Sequence, residues 1–436
     1  MTVFVPDATL EAAGERAARL PLSAVEKERW SRVAAYGSAR RPDQYASRAA
    51  ALRDLIGLPG ATDDGVVEAA GRLLAGAVAA PDPIADRVLD AALGWLDDDI
   101  ADAAPLLDLF TGHHRDPEGG PPQADPDHVR RLAGWLGERG VVLEDVAVIS
   151  GGFSRLMLDV RWTGGRGVVR VEQDGLFATE GRREAAVMRA VGARGYPVPE
   201  ILWEEPDPAV LGHPFFVMRH VPGGARTDDQ GLDDMVRAVA ALHALGPSAV
   251  CEIAAVDGIT AAEAVPAQVR HWHGVYRAAV PHALPLLERC FGWLEANLST
   301  TGPPVVVHGD PGPGNALQDG SGVTAVIDWE LAHAGDAAED WAYLALIRGR
   351  RLGSPEEWKQ RLARTVGVEY DRTSWDAWEA FNSVKGACVN LTALDVFART
   401  ARPTPDQLAI GVAVHLRFLK RAIELTTAGT GCSHSA

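Results

Sequence analysis

Long hydrophobic runs are missing from this chain of 436 residues, and so is any excess of positive charge. The most apolar early stretch, residues 73–80, is far too short to cross a bilayer, so no membrane partner is expected. The N-terminal MTVFVPDATLE has neither a basic start nor a long apolar core, which predicts that no signal peptide is present. Lys and Arg number 42 against 59 Asp and Glu, a formal net charge of −17. That balance argues against a nucleic-acid partner, because a phosphate backbone needs compensating cations. Cysteine is scarce as well: Cys251, Cys290, Cys388 and Cys432 stand far apart and form no CxxC pair. Neither a zinc site nor a disulfide framework is indicated, and a reduced, cytoplasmic protein is expected.

The length exceeds what one ordinary core needs, so two or three domains are expected. Residues 1–112 are rich in Ala and Leu with helical periodicity, and helices are predicted over about 43–57, 64–79 and 83–96. No motif in that region carries recognisable chemistry. A stretch rich in Pro, Gly and Asp follows, and residues 113–127 read as a linker. Its composition predicts that the chain beyond it folds without residues 1–112.

The informative stretch is HGDPGPGNAL, His308 to Leu317. It follows an apolar, strand-like run, 304–307, and its two prolines and two glycines between Asp310 and Asn315 prevent strand or helix from continuing. It therefore reads as a rigid loop presenting Asp310 and Asn315. A second strand-like run, 323–327, ends in Asp328, at a spacing that suits a hairpin returning the chain to the same place. Two carboxylates and an amide would converge there, all hard oxygen donors of the kind Mg²⁺ takes alongside waters and phosphates. In phosphoryl transfer one aspartate orients the acceptor hydroxyl, while an asparagine and a second aspartate hold the metal. Asp310 fits the first role; Asn315 and Asp328 fit the others.

His308 to Asn315, the IDWE of Ile327 to Glu330 and the GDAAEDWAYL of Gly335 to Leu344 resemble the motifs of the aminoglycoside phosphotransferase and choline kinase-like superfamily. That resemblance implies an α+β, protein-kinase-like bilobal fold preceded here by an all-α N-terminal domain. The small β-rich lobe would span 128–222, and the large helical lobe with the catalytic loop and acceptor site 223–436. Within the superfamily, GGFS, PVPEILW, PFFVMRHVPG, VRHWHGVY and DWELAHAGD are similar to the phosphotransferase domains that occur beside or fused to acyl-CoA dehydrogenases.

The resemblance also assigns the nucleotide side. Gly151, Gly152 and Ser154 would form the tight hairpin over the phosphates; Arg170 would stand at the β3 cation position, paired with Glu184 on the next helix. An arginine there keeps the charge and adds a planar fork able to hold a phosphate and a carboxylate together. Arg219 and Val221 would offer main-chain groups to adenine, and Met218 would line its pocket. Three departures stand out: Arg155 in place of the branch's Asn, a β3 neighbourhood without its extra basic residues and proline, and Gly312 in place of an Arg or His inside the catalytic loop. Asp336 and Asp340 are expected to fix the metal loop by hydrogen bonds.

The resulting expectation is an ATP- and Mg²⁺-dependent kinase for a hydroxyl of a small molecule, with GTP left open as the donor. Segments 247–304 and 331–436, which would build the acceptor site, hold 17 acids and 16 Lys plus Arg. A polycation needs carboxylates around it. Near-neutral charge, with Trp272, Tyr276, Trp375, Trp378 and Phe381 nearby in sequence, favours an apolar or anionic acceptor such as a hydroxyacyl thioester over an aminoglycoside. Two alternatives stay open: an antibiotic phosphotransferase, and a nucleotide-binding pseudo-kinase whose N-terminal domain contacts a protein partner. A kinase for Ser or Thr of a peptide is also compatible with the sequence. The complete set of Asp310, Asn315 and Asp328 favours catalysis.

Overall fold

The computed structural model describes residues 7–20, 22, 24–39, 43–111, 124–149, 156–172, 181–400 and 403–427. Six helices come first: α1 (Asp7–Ala18), α2 (Ala24–Ala39), α3 (Gln44–Ile56), α4 (Asp63–Gly76), α5 (Pro83–Asp102) and α6 (Ala104–Thr111). Thr62 caps α4 by accepting from Gly65 N, and Asp82 caps α5 just ahead of Pro83, so each start is written in its first residues. The expected linker falls mostly outside the described residues.

After α7 (Pro126–Gly137), the β-rich lobe is built from β1 (Leu143–Val148), β2 (Leu156–Trp162), β3 (Gly165–Val171), α8 (Gly181–Gly192), β4 (Ile201–Glu205) and β5 (Phe215–Arg219). The strands pair in the order β1-β2-β3-β5-β4, all antiparallel. Period-two alternation sorts their side chains between two cores. Val169, Val171, Phe215 and Val217 join Trp135 of α7 on one face, whereas Val168, Phe216 and Met218 join Met188 of α8 on the other. Arg170 shares the parity of Val168, and its guanidinium reaches Glu184 of α8.

The helical lobe follows with α9 (Asp229–His243), α10 (Pro247–Val256), α11 (Ala264–Ala279) and α12 (Pro285–Asn297). Next come β6 (Val305–Val307), the hairpin β7 (Ala316–Asp319) and β8 (Gly322–Val326), and β9 (His333–Gly335), which pairs with β6. The closing helices are α13 (Ala337–Ala342), α14 (Pro355–Val366), α15 (Arg372–Arg399), α16 (Pro405–Ala409) and α17 (His415–Thr427). Among the described residues no single helix is long and apolar enough to cross a membrane.

The N-terminal helices share the helical lobe's core. Val33, Tyr36, Leu96, Leu106 and Leu109 belong to one buried cluster with Trp378, Phe381 and Phe397 of α15. At the contact between α4 and α12, a Cβ on Gly292 would come within 2.7 Å of Ala75 O, so the two backbones touch. Polar ties cross the same boundary: Glu68 Oε1 meets Arg277 Nη2 at 2.7 Å and accepts from Ala283 N at 2.9 Å. Arg16 Nη2 donates to the carbonyls of Phe397 and Ala398 at 3.1 and 3.0 Å. This packing runs against the expectation that the chain beyond the linker stands without residues 1–112.

Candidate active site

β6 delivers the chain to His308, where the run of two Gly and two Pro turns it into a loop. Gly309 has φ 82°, and a Cβ there would meet Leu331 O at 2.5 Å, so both backbone and space require glycine. Beyond the loop, Ala316 pairs with Val326, and Ile327 N donates to Asn315 O at 2.9 Å. That pairing closes the hairpin and sets Asp328 beside Asn315. Asp328 itself has φ 68°, the one non-glycine residue with positive φ among the described residues. Such a conformation is uncommon for a side-chain-bearing residue and marks a position held by its surroundings.

Asn315 Nδ2 donates to Asp310 O at 2.9 Å and to Asp310 Oδ2 at 3.2 Å. With its amide nitrogen so used, its carbonyl oxygen is the group left for a cation. Among the described residues no three His, Cys, Asp or Glu side chains converge as a metal cage. Mg²⁺ that shares phosphates and waters needs only one or two protein oxygens, and Asn315 with Asp328 supplies that kind of donor set.

From across the cleft, Arg170 Nε lies 2.7 Å from Glu184 Oε2, and its Nη2 reaches Asp328 Oδ1 at 3.3 Å and Glu330 Oε2 at 3.1 Å. Burial acts to lower the Arg170 pKa, but the carboxylates of Glu184, Asp328 and Glu330 outweigh it and push it above the ordinary arginine value. The guanidinium therefore stays charged while buried. Glu184 Oε1 also accepts from Trp329 N at 3.2 Å, which ties α8 directly to the loop after Asp328. Arg183 adds bonds to Glu330 O at 3.3 Å and Ala332 O at 2.6 Å.

The link between lobes runs over the β7–β8 hairpin. Gly224 and Gln318 exchange backbone hydrogen bonds at 3.1 and 3.0 Å, and Thr324 Oγ1 donates to Pro222 O at 3.1 Å. Met218 is buried on β5; Arg219 N donates to Glu200 O at 2.8 Å, and Val221 lies just beyond the strand. Gly151, Gly152, Ser154 and Arg155 fall outside the described residues.

A family model described as the phosphotransferase enzyme family matches residues 145–381, more than half of the chain. The chain belongs to that family. Among curated proteins, acyl-CoA dehydrogenase family member 10 of Mus musculus is 30% identical over 237 residues, 48% of this chain and 22% of the mouse protein. Acyl-CoA dehydrogenase family member 11 of Homo sapiens is 31% identical over 177 residues, 38% of this chain and 23% of the human one. The match thus spans less than a quarter of either relative. In three dimensions, a candidate aminoglycoside phosphotransferase from Ralstonia eutropha superposes with a TM-score of 0.51 at 20% identity, covering 69% of this chain and 98% of its own. The fold is the protein-kinase-like fold of this family, α+β, with an all-helical region at its N-terminus.

Within that family fold, two sequence expectations are corrected. Asp340 was expected at the metal loop, yet it holds the catalytic loop: it accepts from His308 N and Gly309 N, both at 2.9 Å, and from His243 Nε2 at 2.9 Å. Asp336 instead caps α13 and accepts from Thr301 Oγ1 at 2.6 Å. An (i, i+4) spacing gave both one role, but Asp336 precedes the helix and faces a different loop. The five aromatics expected near an acceptor, Trp272, Tyr276, Trp375, Trp378 and Phe381, are all buried in the main core. Long helices in a large lobe need bulky residues between them, and that need accounts for these.

Sequence reading also missed residues of this site. Lys385 of α15 donates to Gly309 O at 2.7 Å and pairs with Glu339 Oε1 at 2.6 Å, both side chains buried. Arg348 Nη1 stands 3.4 Å from Asp310 Oδ1. The available signal for Arg348 was the basic run RGRR, separated from the EDWAYL motif by three residues.

Proposed function

We propose that this protein is an ATP- and Mg²⁺-dependent phosphotransferase that phosphorylates a hydroxyl group of a small molecule. One observation carries the reading: a single bonded chain runs from the Asp310 carboxylate through Asn315 to Ile327, whose neighbour Asp328 contacts the buried Arg170. In this reading Asp310 receives the acceptor's proton, Asn315 and Asp328 hold Mg²⁺, and Arg170, kept in place by Glu184, grips the α- and β-phosphates. The acceptor oxygen bonds to the γ-phosphorus as the bond from that phosphorus to the β,γ-bridging oxygen breaks. The hydroxyl proton passes to Asp310, and the bridging electron pair leaves with ADP. Bound Mg²⁺ would neutralise the charge of the phosphates. Met218 would line the adenine pocket beside main-chain groups of Arg219 and Val221, and Gly151, Gly152 and Ser154 would cover the phosphates.

For the acceptor, the balance of 17 acids and 16 Lys plus Arg in segments 247–304 and 331–436 supports an apolar or anionic molecule. Glu379, buried, is already matched by Arg350 and Arg421, so it offers no free carboxylate to a polycation. A hydroxyacyl thioester fits, and a kanamycin-type aminoglycoside does not.

The test is ADP release against a panel of alcohols with ATP and with GTP, using Asp310→Asn as control. Turnover should fall about 10²- to 10⁴-fold in the variant while nucleotide affinity stays nearly unchanged. Wild-type turnover by Asp310→Asn on an identified acceptor would reassign Asp310, and a kcat/KM higher for the aminoglycoside would reverse the acceptor class.

A further inference from the structure

Gly312 has φ 175° and ψ 164°, extended backbone that any residue adopts, so conformation does not call for glycine there. Space does. A Cβ on Gly312 would lie 2.8 Å from Arg348 Nε and 3.2 Å from Arg348 Cγ. The Arg348 side chain therefore crosses the catalytic loop over the face that the glycine leaves bare, and its Nη1 ends 3.4 Å from Asp310 Oδ1.

The element that delivers Arg348 is unusual. α13 runs into a π-helical turn, Tyr343–Arg348, closed by Gly349 N donating to Leu344 O. Such turns pair residues five apart, which brings Tyr343 and Arg348 to one side, and they recur at functional sites. Asp310 acts on both: after burial, its charge is the main influence raising the Tyr343 hydroxyl's pKa. Trp358 Nε1 donates to Gly349 O at 3.0 Å and pins the end of the turn. The guanidinium is thus placed by a fixed backbone, yet its side chain keeps 39% of its surface exposed.

We propose that Arg348 is a catalytic cation of this site, contacting the transferring phosphoryl group, and that residue 312 is glycine in order to admit it. This rests on the phosphotransfer reading above. Asp310 marks the end of the transfer path where the acceptor oxygen sits, and Asp328 marks the phosphate end. Asp310 first, then Tyr343 and last Asp328, hold the guanidinium above its ordinary pKa against the effect of burial. A cation beside Asp310, reaching along the path toward the phosphates, would meet the charge that spreads over the equatorial oxygens as the γ-phosphoryl moves.

The experiment uses the full chain and thermal shift with Mg²⁺·ADP, then with Mg²⁺·ADP plus fluoroaluminate, a mimic of the phosphoryl group in flight. Wild type should gain one increment from ADP and a second from fluoroaluminate. Arg348→Ala should keep the first and lose the second, with an unliganded Tm close to wild type. Arg348→Lys should recover part of the second, and so should Gly312→Arg in the Arg348→Ala background, which supplies a cation from the loop instead. On an identified acceptor, kcat should fall about 10²- to 10³-fold in Arg348→Ala with KM for ATP little changed. Retention of the fluoroaluminate increment, or a change confined to KM for the acceptor, overturns the assignment. If wild type shows neither increment, the phosphotransfer reading fails first and the role of Arg348 falls with it.

Discussion

The loop 308–315 and the segment 328–332 lie side by side, yet different parts of the molecule hold them. Asp340 and Lys385, both buried in the helical lobe, fix the backbone of His308 and Gly309. The segment 328–332 is held from the other lobe: Glu184 takes Trp329 N, Arg170 contacts Asp328 and Glu330, and Arg183 takes Glu330 O and Ala332 O. One loop is therefore a fixed part of the large lobe, whereas the other answers to where the small lobe sits. That division suits a kinase, in which a base must keep its place while the metal and phosphates arrive with the nucleotide.

The largest expected effect tests how far the fixed side extends. α15, which carries Lys385, packs in one cluster with α2, α5 and α6. A chain begun at residue 124 should therefore expose an apolar face and be insoluble, or fold without a thermal response to Mg²⁺·ATP. A soluble, cooperative fold with the full ATP increment would show that the catalytic loop's support ends at the linker.

Within the scaffold, Lys385→Met leaves Glu339 buried without its cation. Burial raises the Glu339 pKa, but the charges of Lys385 and His333 bring it below the usual glutamate value, so the carboxylate is ionised in the fold. Loss of about 3–5 kcal/mol in urea unfolding is expected, and Glu339→Gln with Lys385→Met should recover part of it. A loss under 1 kcal/mol would mean that the pair is not a support of the loop.

How much of this was legible in the sequence follows the same division. A short hairpin places Asp310, Asn315 and Asp328, and a strand-to-helix step places Arg170 beside Glu184; both spacings are local, whereas the contact of Arg170 with Asp328, 158 residues apart, is made only by the packing of the two lobes. Residues 1–112 read as separate because a Pro- and Gly-rich stretch follows them, but composition says nothing of which surfaces meet. Gly292 of α12, which lies against the backbone of Ala75 in α4, is one glycine among 45 until the two backbones are seen to touch. Arg348 escaped for a related reason: a π-turn shifts the helical phase, so 3.6-residue periodicity aims the side chain elsewhere.

A pH experiment sharpens the scaffold further. Burial raises the Asp340 pKa, but the His243 bond, the charges of His243 and His308 and the His308 N–H outweigh it and hold it at about 2, below the ordinary aspartate range. A depressed acid contributes stability that is present above its unfolded pKa and lost as pH falls through its folded one. Wild type should therefore exceed Asp340→Asn in unfolding free energy at pH 6 and lose on the order of 2 kcal/mol of that margin between about pH 5 and pH 2. Other carboxylates titrate in both proteins, so the difference reports Asp340 together with its partner His243. A margin that does not move with pH would mean that Asp340 is not the ionised anchor of the catalytic loop.

The smallest effect belongs to the responsive side. Glu184→Gln removes one of three carboxylates around Arg170, which keeps Asp328 and Glu330 and so stays matched. The amide oxygen can still accept from Trp329 N, and the fold should lose only about 1 kcal/mol. Arg170, freed on one side, is then drawn toward Asp328, where it competes with Mg²⁺ for the same oxygen. Affinity for Mg²⁺·ATP should weaken about tenfold, a cost of about 1.4 kcal/mol, while affinity for ATP without Mg²⁺ changes less. Calorimetric titration with and without Mg²⁺ separates the two. Equal weakening in both conditions would place the action of Glu184 on the phosphates rather than on the metal loop.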